Sequence, residues 1–332
     1  ECAASTGRDV RGIAPRAMSL LDSSIEFVVC RHEQAAAFMA DMHGRLTGRP
    51  GVCLATLGPG ASNLVTGVAS ANMDDSPLVA IIGQASTQRL HKQSHQNMDA
   101  IAMFRPVTKW ASTIREPENV NEVVHKAFKT AVSEHPGATV IELPEDVAKK
   151  HTDDHPINAR TDDRRAGVEP CSVRDALDLI EAADAPLILA GWGALRTGAT
   201  DALRDLVHRT HIYTAQTFMG KGALSPRDEY CLYCVGLGAR DIVVSAFEDA
   251  DLVLCIGYDM VEWHPDRWNV GRATRIVHID TLPAEVDQAY NPDVEIVGDI
   301  RIALEAINAG LTDSHRKEPH RLAELRGRMT AE

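Results

Sequence analysis

Glu33, Gln96 and the run Gly58-Pro59-Gly60-Ala61-Ser62-Asn63 are the residues whose types and spacing offer chemistry in this chain of 332 residues. A carboxyl group holds or moves a proton, an amide orients a polar ligand, and glycines let a ligand approach the backbone. His95, beside Gln96, is a candidate acid or base, histidine being the side chain whose charge changes near physiological pH. Each feature also has a plain structural reading. A carboxylate at a helix start is favoured by the macrodipole, polar loops are normally solvated, and glycine runs end strands. Position in the fold has to decide.

The elements around these residues are legible. Ile25-Glu26-Phe27-Val28-Val29-Cys30 is a β-branched apolar run that reads as a buried strand. Glu33 then opens a helix over residues 34–45 whose apolar side is Ala36, Ala37, Phe38, Met39 and Ala40. Residues 52–56 form the next strand, and the glycine run turns it into a helix over 64–71. Two strand-to-helix crossings in succession place Glu33 and residues 58–63 at the carboxyl edge of one parallel sheet, where open α/β sheets bind ligands. Further strands are expected at 77–82, 107–110 and 138–143, with a helix over 120–132; the polar stretch 87–98 holds His91, His95 and Gln96. Continuous apolar strands alternating with helices predict a doubly wound parallel sheet covered on both faces.

Residues 151–170 read as a solvated linker rich in Asp, Arg, His and Pro. A second α/β unit follows over 171–311, with strands at 186–190, 251–256, 275–280 and 294–297, and then a polar helical tail, 312–332. Gly191-Trp192-Gly193 is half of a dinucleotide fingerprint, which a tight strand–helix turn explains by itself. The expectation is an α/β protein of two parallel-sheet domains, 1–150 and 171–311.

Arg31-His32-Glu33-Gln34-Ala35-Ala36-Ala37-Phe38-Met39-Ala40 resembles the pyrimidine-binding domain of thiamine-diphosphate enzymes, and most of all the acetolactate synthase large subunits. Gly44-Arg45-Leu46-Thr47-Gly48, Thr56 to Asn63, Ser94-His95-Gln96 and Leu143-Pro144-Glu145-Asp146-Val147 continue the likeness in family order over about 115 residues. The resemblance implies that Glu33 hydrogen-bonds the aminopyrimidine ring of thiamine diphosphate. Such a carboxyl is expected to be partly desolvated, which favours sharing a proton. It further implies that Gly58, Pro59, Gly60 and Asn63 border the cofactor. Gln96 then faces the bound 2-oxo acid, with His95 and Phe104 in the substrate's vicinity; an isolated Phe is otherwise a core residue. The activity implied is decarboxylation of pyruvate and condensation with a second 2-oxo acid. Another thiamine-dependent decarboxylase or lyase, or a non-catalytic partner-binding remnant, stays open beside it. Subunits of the family meet through their pyrimidine-binding domains, so a homodimer or higher oligomer is expected.

Three departures from the family pattern shape the expectations. The first strand and its Pro-Gly turn look truncated or degraded within residues 1–17. Thr217-Phe218-Met219-Gly220-Lys221-Gly222 is similar to the segment that meets FAD in the flavin-containing branch. Gly257 to Pro265 with Arg267-Trp268-Asn269 instead resembles the flavin-independent branch, and the reading inclines against FAD. Finally, the Gly-Asp-Gly stretch that holds Mg2+ and diphosphate in the family is not matched by Gly298-Asp299-Ile300, where Asp299 reads as a helix cap. The Mg2+ site is therefore expected outside this chain, with no metal ligands in it. The isolated chain is expected to be inactive, either as a fragment or as the partner of a chain bearing the diphosphate-binding domain.

Composition narrows the class. A net charge of −13 argues against nucleic acid or an anionic membrane as partner. No apolar run reaches the roughly 18 residues of a membrane span. Cys30, Cys53 and Cys255 sit inside apolar runs, which suits reduced thiols in a cytoplasmic protein, and Cys231-Leu-Tyr-Cys234 reads as packing.

Overall fold

The computed structural model describes residues 2–6, 23–153, 155–157, 165–236, 242–317 and 320–331. The chain divides into two compact units, 1–161 and 162–332.

Unit one is a six-stranded parallel sheet in the order β2-β1-β3-β4-β6-β5. Its strands are β1 Cys2–Thr6, β2 Glu26–Cys30, β3 Gly51–Ala55, β4 Leu78–Gln84, β5 Trp110–Thr113 and β6 Ala138–Pro144. The opening strand is present, contrary to expectation: β1 pairs in parallel with β2 on one side and β3 on the other. Its composition, Cys-Ala-Ala-Ser-Thr, carries too little apolar contrast to be recognised locally. The turn expected after it lies outside the described residues. A second correction concerns β5, which begins at Trp110, where 107–110 was expected; residues Arg105–Val107 are a 3-10 turn.

Helices α1 Glu33–Thr47, α2 Pro59–Asn63, α3 Val65–Met73, α4 Ala100–Phe104 and α5 Val120–Val132 connect these strands. Helix α1 starts on a His32 Nδ1 that accepts from the Gln34 amide at 3.1 Å, and stops at Gly48 with φ 67°. It packs inward through Ala36, Ala37, Ala40, Asp41 and Gly44. Phe38, Met39, Met42 and Leu46 point outward, so the apolar side read from the sequence is split. Small residues give the closest approach to the sheet, which is why the alanines are inside.

Unit two is also a six-stranded parallel sheet, ordered β12-β11-β10-β7-β8-β9. It comprises α6 Pro170–Ala182, β7 Pro186–Ala190, α7 Trp192–Arg196, α8 Thr200–Thr210, β8 Thr214–Thr217, β9 Cys231–Val235, α9 Val244–Glu248, β10 Leu252–Ile256, β11 Arg275–Asp280, β12 Val294–Val297, α10 Ile300–Gly310 and α11 His320–Ala331. Two assignments made for the ends of this unit change. Part of the linker is fixed to it: Arg165 donates to Asp299 at 2.8 Å, and the Asp299 amide donates to the Ala166 carbonyl at 3.0 Å. The polar tail is a docked element, with Leu322 and Leu325 of α11 buried in the core. Lys317 ties the preceding segment to the carbonyls of Glu181 and Ala183 at 2.9 and 2.6 Å.

Candidate active site

Strand β2 delivers Glu33 to the carboxyl edge of the first sheet as the opening residue of α1, half-buried. Its Oε2 accepts a 3.0 Å hydrogen bond from Asn63 Nδ2, thirty residues on. Asn63 closes the one-turn helix α2, and Gly60, three residues earlier, shares its face. A Cβ on Gly60 would lie 3.4 Å from Glu33 Oε1 and 2.6 Å from Thr56 Cγ2. The absence of a side chain there keeps the carboxyl accessible from α2. Pro59 is exposed beside it.

Gly58 joins the second crossing to the loop after β4. Its φ of 62° and ψ of −122° belong to glycine, and a Cβ would stand 2.6 Å from the Gln96 carbonyl oxygen and 2.8 Å from its Cβ. The backbone of Gln96, itself at φ 55°, therefore rests on Gly58, leaving the Gln96 side chain and neighbouring His95 exposed. The fold thus brings Glu33, Gly60 and Asn63 together, and Gly58 with Gln96, at one sheet edge. It gives a carboxyl oriented by an amide, with an exposed amide and imidazole on the loop that rests on Gly58, and an oriented carboxyl of this kind can hold a proton.

Phe104 stands apart. It is fully buried in the core with Leu78, Ile82, Ala100 and Val140, so the expected place near substrate is corrected to a packing role. Its ring is fully buried in the apolar cluster.

Sequence reasoning passed over the groups beneath this edge. Gln84, at the end of β4, and Glu142, on neighbouring β6, are 6% and 4% exposed. Gln84 Nε2 donates to Glu142 Oε1 and to the Met98 carbonyl, both at 2.8 Å, while Thr113 Oγ1 donates to Glu142 Oε2 at 2.7 Å. Burial raises the Glu142 carboxyl above its ordinary value, against the lowering effect of the bonds from Thr113 and Gln84. The available signal was an acid inside the apolar run 138–143.

At the carboxyl edge of the second sheet the polar groups are turned inward. The Trp192 amide, opening α7, donates to Glu262 at 3.0 and 3.3 Å, and the Thr217 hydroxyl also donates to Glu262. Burial pushes the Glu262 carboxyl up to about 7 despite these bonds. Thr217 Oγ1 in turn accepts from the Gly220 amide at 2.8 Å, and Gln216 Oε1 accepts from the amides of Gly222 and Leu224 at 2.9 and 3.1 Å. Gly191 and Gly193 serve close packing, since a Cβ on either would meet the Gly257 backbone at 2.3 and 2.6 Å. The half-fingerprint and the segment from Thr217 to Gly222 are therefore engaged with the unit's own atoms, and the Gly191–Gly193 turn does not fit a dinucleotide diphosphate. Asp299 caps α10, accepting from the Ile302 amide at 3.0 Å. Cys231 and Cys234 lie on β9 with thiol pKa values raised by burial, as suits packing.

Comparison with known sequences decides the family. The pattern described as "Thiamine pyrophosphate enzyme, N-terminal TPP binding domain" matches residues 11–103, and "Thiamine pyrophosphate enzyme, central domain" matches 173–307. The chain carries two domains of the thiamine pyrophosphate enzymes. It is 37% identical over 284 residues to "Acetolactate synthase" of Bacillus subtilis (strain 168), covering 85% of this chain and 50% of that relative. It is 39% identical over 291 residues to "Acetolactate synthase, catabolic" of Raoultella terrigena, covering 87% and 52%. A third relative, "Probable acetolactate synthase large subunit" of Methanococcus aeolicus, is 36% identical over 298 residues, with 87% and 49% covered. The chain spans about half the length of these curated relatives. Its thiamine pyrophosphate domains hold Glu33, Gly58, Gly60, Asn63 and Gln96 in the first of the two. Among the described residues, no helix is long and apolar enough to cross a membrane.

Proposed function

We propose that these two domains form the pyrimidine-binding and central portions of a thiamine-diphosphate-dependent acetolactate synthase acting on pyruvate and a second 2-oxo acid. The observation that carries the reading is the Glu33 carboxyl, held by Asn63 over the Gly60 gap beside the Gln96 loop. Glu33, Gly58, Pro59, Gly60 and Asn63 would hold the aminopyrimidine end of the cofactor. When bound, thiamine diphosphate supplies the carbon nucleophile that adds to the 2-oxo acid and takes up the electrons released with CO2. The chain's own part is to keep a proton shared between Glu33 and the pyrimidine ring nitrogen, with Asn63 fixing the carboxyl's orientation. Gln96 and His95 offer an amide and an imidazole to the 2-oxo acid's carboxylate and carbonyl.

Mg2+ and the diphosphate belong with residues beyond this set, consistent with Asp299 serving as a helix cap bound to Arg165. FAD is not part of the reading, because Glu262, Thr217 and Gln216 satisfy the backbone donors at the second sheet's edge. A homodimer through the first domain is supported by the outward Phe38, Met39, Met42 and Leu46 of α1, apolar residues on one helix face. The net charge of −13 fits a protein that binds neither nucleic acid nor anionic membrane, and the buried thiols fit a cytoplasmic setting.

The test is calorimetric titration of thiamine diphosphate with Mg2+ against the chain and against Glu33→Gln. Binding at least tenfold weaker in Glu33→Gln is expected. Equal affinity for both proteins would remove Glu33 from the cofactor site.

A further inference from the structure

Residues 87–98, which carry His95 and Gln96, are tied to the sheet at both ends. At the near end, Thr87 donates through its amide and hydroxyl to Asp146 at 2.9 and 2.6 Å, and Arg89 pairs with Glu145 at 2.8 Å. Within the loop, Asn97 Nδ2 reaches the carbonyls of Leu90 and Lys92 at 3.3 and 3.2 Å. The far end is gripped from below: Gln84 Nε2 donates to the carbonyl of Met98, two residues after Gln96.

The Gln84 amide has one orientation that satisfies all its neighbours. Its Oε1 accepts from the Ala85 amide at 2.8 Å, so its NH2 group must face Glu142 and Met98. Glu142 supplies the acceptor that sets this orientation, and Thr113 holds its other oxygen. An apolar residue at either place would leave a buried polar partner unmatched, which is the costly outcome. Asp99, an acid whose charge acts on Glu142, is engaged in capping α4 through the Ala102 amide.

We propose that Glu142 and Gln84 are positioning residues for the Gln96 loop: the buried carboxylate orients the Gln84 amide, which fixes the Met98 carbonyl and so the height of Gln96 over Gly58. The assignment of Gln96 to substrate rests on the proposed function, but the positioning does not. Loop order is therefore read without cofactor or turnover.

The experiment is amide hydrogen exchange on the whole chain, comparing Glu142→Leu, Thr113→Val and the exchanged pair Gln84→Glu with Glu142→Gln. The exchanged pair restores the hydrogen bond between the two side chains but puts a carboxylate opposite the Met98 carbonyl. Exchange at Asn97 and Ala100, whose amides donate to Ser94 and Met98, is expected to quicken at least tenfold in Glu142→Leu, which removes the acceptor, and in the exchanged pair. Leu54 and Ile82 in the strands should stay within twofold, and Thr113→Val, which keeps the Gln84–Glu142 bond, should quicken the loop less than the other two variants. Uniform loosening of the domain, or an unchanged loop in the exchanged pair, would overturn the proposal. If a variant does not fold, the unmodified chain decides: both Gln84 side-chain amide protons should be protected, and free exchange of either would also overturn it.

Discussion

The two domains share a six-stranded parallel sheet yet treat their carboxyl edges in opposite ways. In the first, Glu33 is half-buried, Asn63 and Gln96 reach solvent, and glycines at 58 and 60 keep the backbone low around them. In the second, Glu262, Gln216 and Thr217 are buried and satisfy the donors of Trp192, Gly220 and Gly222 internally. Architecture alone therefore does not make a site. An edge becomes one when its polar groups are oriented by neighbours but not used up by them.

The largest effect expected from breaking this contrast is at Glu33. Under the proposed function, in an enzyme that also carries the diphosphate-binding domain, Glu33→Ala should lower acetolactate formation by about 10²–10⁴-fold, the usual worth of a positioned acid–base group, with the unfolding midpoint nearly unchanged. Retained turnover would dissolve the distinction between the two edges.

Phe104→Ala follows, with an expected cost of about 3–5 kcal/mol in urea unfolding, because a fully buried ring leaves a cavity. A loss of activity with unaltered stability would return Phe104 to the substrate's vicinity.

Glu262 sharpens the comparison through pH. Its folded pKa of about 7 lies above the ordinary 4.5, so the fold opposes ionisation. The stability it contributes is full below about pH 4.5 and is lost as pH rises to about 7, amounting to ~3 kcal/mol. Glu262→Gln cannot ionise and should show a flatter stability profile across that window. Matching declines in both proteins, measured by denaturant unfolding at the two ends of the range, would place Glu262 in contact with water.

Asn63→Ala should have the smallest effect. Removing one exposed hydrogen bond to a carboxylate should weaken cofactor binding by about 1 kcal/mol, roughly fivefold by titration. No change would mean that Glu33 is oriented without it.

Much of this was readable beforehand. Strands β3, β4, β7 and β10 are almost continuous apolar runs and β6 and β11 are mostly apolar, because both faces of a parallel sheet are covered, and that burial leaves its mark on composition. Strand β8, Thr-Ala-Gln-Thr, was missed because its buried polar side chains are satisfied by tertiary partners, such as Gln216 by Gly222 and Leu224. The same cause hid Gln84 and Glu142. Hydrophobicity alone places Phe38 and Met39 on the inward side, yet the tight approach of α1 to the sheet gives the inward places to alanines.

By itself the sequence determined the alternation of strand and helix, the division into two α/β units, and the chemical types present at the first sheet's edge. Those depend on local periodicity and residue type, which each short stretch carries alone. Tertiary structure decided that Asn63 meets Glu33 across thirty residues, that Gln96 rests on Gly58, that Phe104 is core, and that Glu262 closes the second edge. These are outcomes of chain crossing and close packing, where the distance of a few ångströms between remote residues settles whether a polar group is held for a ligand or spent within the fold.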